Sequence, residues 1–263
     1  MGEETAETDD DPRKESGPNP LIDALNAASA EIAKGDLDRA DGIFQAIAEE
    51  FSGEAQAFNG IGMVMYSHGR VENAVGAYQK ALEIEPGNSS ATNNQGTALL
   101  RLGRLEQAGQ VFQRLIQGVP DYAKGHANLG LALYAQGRLD VAVQALRKAV
   151  SLDPGYAKAL FNLGEICQEM GEMDEALQAY RQALSVRPEY AEACNGLGRA
   201  LSTVGNPDAA ASAYEKALTL RPDYAEALNN LGILQREGGK LDEAEANYRK
   251  ALALRSGMAR VHT

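Results

Sequence analysis

Hydrophobic and polar positions alternate along this chain in blocks that predict short helices in pairs. In "VAVQALRKAVSL", residues 141–152, apolar side chains recur at i, i+3 and i+4, which lines one face of a helix. Asp140 stands before it as a candidate cap for free backbone N–H groups. Pro154 ends it, because proline lacks a donor and clashes with the preceding turn. A preceding helix is expected from about Ala123 to Gln136, broken at Gly137, since glycine favours helix C-termini. In a later copy Pro207 falls near the start of the second helix, where proline is tolerated.

The pair recurs. Pro86, Pro120, Pro154, Pro188 and Pro222 are spaced by 34 residues. Gly62, Gly96, Gly130, Gly164, Gly198 and Gly232 keep the same step, as do the seven glycines from Gly35 to Gly239 and the seven alanines from Ala40 to Ala244. The repeats are set at 21–54, 55–88, 89–122, 123–156, 157–190, 191–224 and 225–258. The glycine series at Gly130 lies inside the first helix, where each member costs about 1 kcal/mol relative to alanine. Close approach of two helix backbones, with the alanines as the other small face, is the reading that explains it.

These residues resemble the tetratricopeptide repeat, whose pattern is met in the fifth copy by Gly164, Ala176, Tyr180, Ala183 and Pro188. The resemblance covers residues 21–258 and implies an all-α, right-handed superhelical solenoid of seven helix-turn-helix units. The copies depart locally: Ala28, Ile47 and Ser52 in the first, Leu115 in the third, Ser256 in the seventh. Atypical terminal copies are expected of a stacked array. Each pair is unstable alone and buries its apolar faces against neighbours. "ARVHT", residues 259–263, fits the opening of an eighth, interrupted copy. That makes two settings conceivable, a self-standing array and the recruiting region of a larger enzyme, and an uncapped last copy that self-associates.

Charge changes the picture of partners. The 263 residues carry 37 acids and 25 Lys or Arg, net −12, which argues against phosphate backbones. "MGEETAETDDDPRKESGPNP" has too little apolar surface to offset its ordering entropy, so residues 1–20 are expected to be a disordered acidic tail without a signal sequence. No apolar run is long enough to span a membrane. Cys167 and Cys194, as buried free thiols, point to a cytoplasmic protein.

No catalytic chemistry is evident. His68, His126 and His262 lack metal-ligand spacing, the two cysteines lack a spaced base, and no phosphate-binding glycine string is present. No enzyme, metal or cofactor is expected. The resemblance instead implies a concave surface that binds a protein or peptide, lined by fixed positions of the first helices. Asn94, Asn128 and Asn162 fall there in one line. A carboxamide offers two donors and an acceptor, enough to read peptide backbone, and the line is similar to that of O-linked N-acetylglucosamine transferase arrays. Asparagine at this position also suits helix packing. Tyr66, Leu100, Leu131, Tyr134 and Phe161, together with Met63, would add apolar contacts, and Arg101, Lys124 and Lys158 positive charge. The residues that grip a C-terminal carboxylate in some chaperone-binding members match at two of five positions, so no such clamp is predicted.

Overall fold

The computed structural model describes residues 19–261, with side chains to residue 254. The tail expected over residues 1–20 lies outside them up to residue 18, as do the last two residues of the interrupted copy. Fourteen α-helices and no strand are present among the described residues. They are α1 (Pro20–Lys34), α2 (Leu37–Glu50), α3 (Ala55–Ser67), α4 (Val71–Ile84), α5 (Ser89–Arg101), α6 (Leu105–Gly118), α7 (Ala123–Ala135) and α8 (Leu139–Leu152). They continue with α9 (Ala157–Glu169), α10 (Met173–Val186), α11 (Ala191–Thr203), α12 (Pro207–Leu220), α13 (Ala225–Glu237) and α14 (Leu241–Val261). Odd-numbered helices are the first of each pair. The chain divides into two compact units, the first ending at Ala98 and the second beginning at Leu99, inside α5.

Every pair turns on the same device. Gly35, Gly69, Gly103, Gly137, Gly171, Gly205 and Gly239 all have φ between 72° and 84°, a left-handed conformation that side chains resist. The N–H of the next residue bonds back five positions, as from Arg138 to Leu133 O and from Glu172 to Cys167 O, at 2.9 and 2.8 Å. This satisfies carbonyls that the helix end leaves open. The cap expected of Asp140 is not formed. Helix α8 opens at Leu139 with no side-chain cap, and Asp140 lies in its first turn, where an acid meets the positive end of the dipole. Side-chain caps do occur at Asp36 and Asn206, the latter followed by Pro207 at the first helical position.

In the first unit α1 and α2 enclose Leu21, Ala28, Phe44 and Ile47, against which Ile61 of α3 packs. In the second unit each second helix packs on the next first helix, α8 on α9, α10 on α11 and α12 on α13. Leu160, Ala183, Tyr190 and Ala193 form one such junction, and Cys194, Ala217 and Ala227 the next.

The helical glycines correct one expectation. A Cβ on Gly62, Gly164, Gly198 or Gly232 would lie 2.5–2.7 Å from a ring carbon of Tyr78, Tyr180, Tyr214 or Tyr248. The missing side chain makes a slot for a tyrosine of the partner helix, and backbone does not meet backbone there. Gly130 differs because Leu146 replaces the ring. The slot is shallower, and the Ala142 carbonyl comes to 3.1 Å of the added Cβ. Helix α14 passes through Ser256, the place of the earlier prolines, and continues to Val261.

Candidate functional site

The first helices present their variable side chains on one face, and within the first unit that face holds Tyr66 and Asn94, both half-buried. Asn94 Nδ2 donates to Asn59 Oδ1 at 3.0 Å. The same bond recurs in the second unit, from Asn230 Nδ2 to Asn195 Oδ1 at 3.0 Å. The rule is simple: the sixth residue of one repeat meets the fifth of the repeat before. For Asn162 the fifth residue before is Ala127, which has nothing to accept with. Asn162 is half-buried, and its amide makes no hydrogen bond among the described residues. Asn128 is half-buried as well. A paired amide keeps one N–H and acceptor capacity, so Asn94 retains part of its bonding potential and Asn162 all of it.

The other expected residues separate into exposed and embedded groups. Arg101, Lys124 and Lys158 are exposed, and Leu100 and Leu131 are half-buried. Tyr134 is 39 % exposed, and its hydroxyl donates to Glu169 Oε2 at 2.6 Å. That bond, with burial second, raises its pKa above the ordinary tyrosine value. Phe161 leans on Tyr190 and Tyr180, with ring centroids 5.2 and 6.1 Å away, and belongs to the core junction around Leu160. In the first unit Met63 is 54 % exposed.

The second unit also holds a polar cluster built from residues that the sequence reading did not single out as site residues. Tyr180 occupies the slot between Gly164 and Gly196, and its hydroxyl donates to Glu165 Oε1 at 2.5 Å. Arg199 Nη2 donates to the same oxygen at 2.5 Å, and its Nη1 lies 3.6 Å from Glu226. Asn195 Nδ2 donates to Glu226 Oε1 at 3.0 Å. Burial, the largest single influence, would lower the Arg199 pKa, but the bond to Glu165, the Glu165 charge and Tyr180 together outweigh it and the guanidinium stays charged. Arg199 Nε is buried without a hydrogen-bond partner among the described residues. The signal was present as a spacing: Glu165 and Arg199 are opposite charges 34 residues apart, hence at one phase of neighbouring helices. The cluster holds α9, α11 and α13 in register and fixes the polarity of their shared face.

A metal centre does not fit the one group of suitable ligands among the described residues. Cys167, Glu172 and Glu175 bring ligand atoms within 4.8 Å of one another. Arg147 already binds Glu175 through Nε and Nη2, at 2.7 and 2.5 Å, and lies 3.7 Å from Glu172. Burial, then the two glutamates, push the Cys167 thiol up to about 12, so the thiolate a metal needs is disfavoured.

Comparison with known proteins places this geometry. Tetratricopeptide-repeat models match residues 25–89 and 195–259, 77–110, 96–137 and 131–171, and 156–223. No curated protein matches the chain. Among solved structures, MamA is 27 % identical, with TM-score 0.58 over 63 % of this chain and 96 % of that one. YrrB, described as a TPR protein with an unusual peptide-binding site, is 24 % identical, with TM-score 0.54 over 70 % of this chain and 95 % of that one. The Cut9–Hcn1 assembly of the APC/C gives TM-score 0.71 at 16 % identity, over 89 % of this chain and 45 % of that one. The last two likenesses concern the fold alone. With matches running unbroken from residue 25 to residue 259 on seven glycine-turned helix pairs, the chain belongs to the tetratricopeptide-repeat family.

Proposed function

We propose that this protein is a non-enzymatic scaffold whose first-helix face binds an extended segment of a partner protein. The observation that carries the reading is the uncommitted amide of Asn162, one helical turn from exposed Lys158 on α9, with Tyr134 of α7 exposed as well. A half-exposed amide with no protein partner can exchange its hydrogen bonds to water for bonds to a ligand without breaking any within the fold. In the second unit Asn128 and Asn162 read backbone, Leu100, Leu131, Tyr134 and the exposed edge of Phe161 take apolar side chains, and Arg101, Lys124 and Lys158 attract an acidic flank. Tyr66 and Asn94 of the first unit enter the proposal through their repeat positions. That YrrB is described as having a peptide-binding site supports the same use of this fold. The likeness of the asparagine line to glycosyltransferase arrays supports backbone reading too, and ahead of an enzyme the same face would recruit substrate. Leu241 and Leu252, 64 % and 65 % exposed, support self-association at the last pair as a second reading.

No helix among the described residues is long and apolar enough to cross a membrane. The test uses a peptide selected on the full chain from a random library. Changing Asn94, Asn128 and Asn162 together to alanine should weaken it about tenfold or more, since each hydrogen bond contributes about 0.5–1.5 kcal/mol. Calorimetry measures the affinity, and circular dichroism checks the helices. Unchanged affinity with intact helices would mean that these asparagines only pack and that the site lies elsewhere.

A further inference from the structure

The repeats of one chain serve as controls for each other, and on the opposite side from the proposed face they are not alike. Successive second helices leave a cleft between them, floored by the first helix that lies beneath. Between α2 and α4 it holds about 350 Å³, and between α6 and the α7–α8 turn about 180 Å³. Between α10 and α12 it holds about 480 Å³, within the range of ligand pockets, roughly 300–1,000 Å³. The α12 wall of this cleft is built of small residues. Ser212 stands there, at a position where α6, α8 and α10 carry Gln110, Gln144 and Gln178 and where α2 and α4 carry Gly42 and Gly76. With Ala209 and Ala213 on the same wall, nothing on α12 fills the space.

The three clefts also differ in chemistry. The one at α6 is lined by Gln110, Gln113 and Gln136, with Glu106 and Arg138. The one at α2 has its own acid, and its cations are spent: Arg70 binds Asp41 at 2.5 Å and Lys80 binds Glu83 at 3.0 Å. The α10–α12 cleft has an apolar floor of Leu184, Cys194, Leu197 and Leu201. Its charged lining residues are Arg181 on one wall and Lys216 on the other. Neither has an ion-pair partner among the described residues. On a chain of net −12, two unneutralised cations facing each other over leucines are a local inversion of charge.

From this complementarity we infer that the α10–α12 cleft is a second docking site, for a protein segment in which a large apolar residue is flanked on both sides by carboxylates. The apolar side chain fills the space that Ser212 leaves and covers Leu197 and Leu201. The carboxylates pair with Arg181 and Lys216. A cation on each wall calls for two acids, which an acidic peptide supplies and a single-headed fatty acid does not. The site is independent of the first-helix face, so one array would hold two segments at once.

The probe is a fluorescein-labelled synthetic peptide with a central leucine between glutamates, beside a twin with lysines in place of the glutamates. Fluorescence anisotropy with the full chain should show saturable binding of the glutamate peptide, weakening as salt is raised, and none of the lysine peptide. Ser212→Gln copies Gln110, Gln144 and Gln178 and so keeps the fold; it should weaken binding about tenfold or more. Lys216→Glu should do the same, whereas Lys80→Glu in the sister cleft should change nothing. Binding that survives Ser212→Gln, equal binding of the two peptides, or saturable binding of laurate in place of the glutamate peptide would each overturn the inference.

Discussion

Replacing Tyr180 with alanine should destabilise the second unit by about 3–5 kcal/mol, the cost of emptying a fully buried aromatic site. The ring is completely buried and sits between two glycines, Gly164 and Gly196, whose absent side chains shape its slot. Neither backbone can collapse into the space without breaking its helix, so the cavity stays open. The phenol also ties α10 to Glu165 of α9. Tyr180→Phe keeps the ring and should lose only the bond to a carboxylate, about 1.5–3 kcal/mol, because Arg199 still holds Glu165. Gly164→Ala approaches the slot from the other side. It gains about 1 kcal/mol of helix propensity and loses about 1–3 kcal/mol to overpacking, so it too should destabilise. Urea unfolding ranks the three. A loss below about 1 kcal/mol for Tyr180→Ala would show that the slot closes and that the glycines are not there for the ring.

Alkali should unfold the second unit over a narrow range. Burial raises the pKa of Tyr214 to about 12, and burial followed by the hydrogen bond to Glu165 raises that of Tyr180 further. In the unfolded chain both titrate near the ordinary value of about 10. The folded state therefore holds protons that the unfolded state releases. Stability is complete below the unfolded value and is lost as pH climbs toward the folded ones, by about 1.4 kcal/mol per pH unit for each tyrosine. Phenolate absorbance and helical circular dichroism should change together between about pH 10 and 12. With Tyr180→Phe and Tyr214→Phe combined, the loss of helix should move to higher pH. Phenolate appearing gradually with the helices intact would contradict the burial argument.

The sequence displayed what a period can display. Steps of 34 residues placed Gly137 and its six equivalents at one point of each pair, and these are the left-handed turns. Buried alanines and proline-ended second helices followed for the same reason. What a single sequence hid was the identity of each neighbour across the pair. Gly164 read as a place for a backbone, because nothing in the spacing says that Tyr180, sixteen residues on, turns its ring back into the slot. The asparagine line read as uniform, yet whether each amide is paired depends on the preceding repeat. Asn59 and Asn195 supply an oxygen, and Ala127 does not. Glu165 and Arg199 form one cluster with Tyr180, a contact that composition and net charge do not display. The α10–α12 cleft escaped notice because it is space between helices, walled by small residues such as Ala209, Ser212 and Ala213.

The central claim is that the first-helix face holds the partner segment, and photocrosslinking tests it most directly. A photoreactive phenylalanine takes the place of Tyr134 on α7 in one variant and of exposed Gln178 on α10 in another. Each is irradiated with the library-selected peptide, and mass spectrometry locates the adduct. The account predicts crosslinks from position 134 that unlabelled peptide suppresses, and none from position 178. Crosslinks from position 178 with position 134 silent would contradict it.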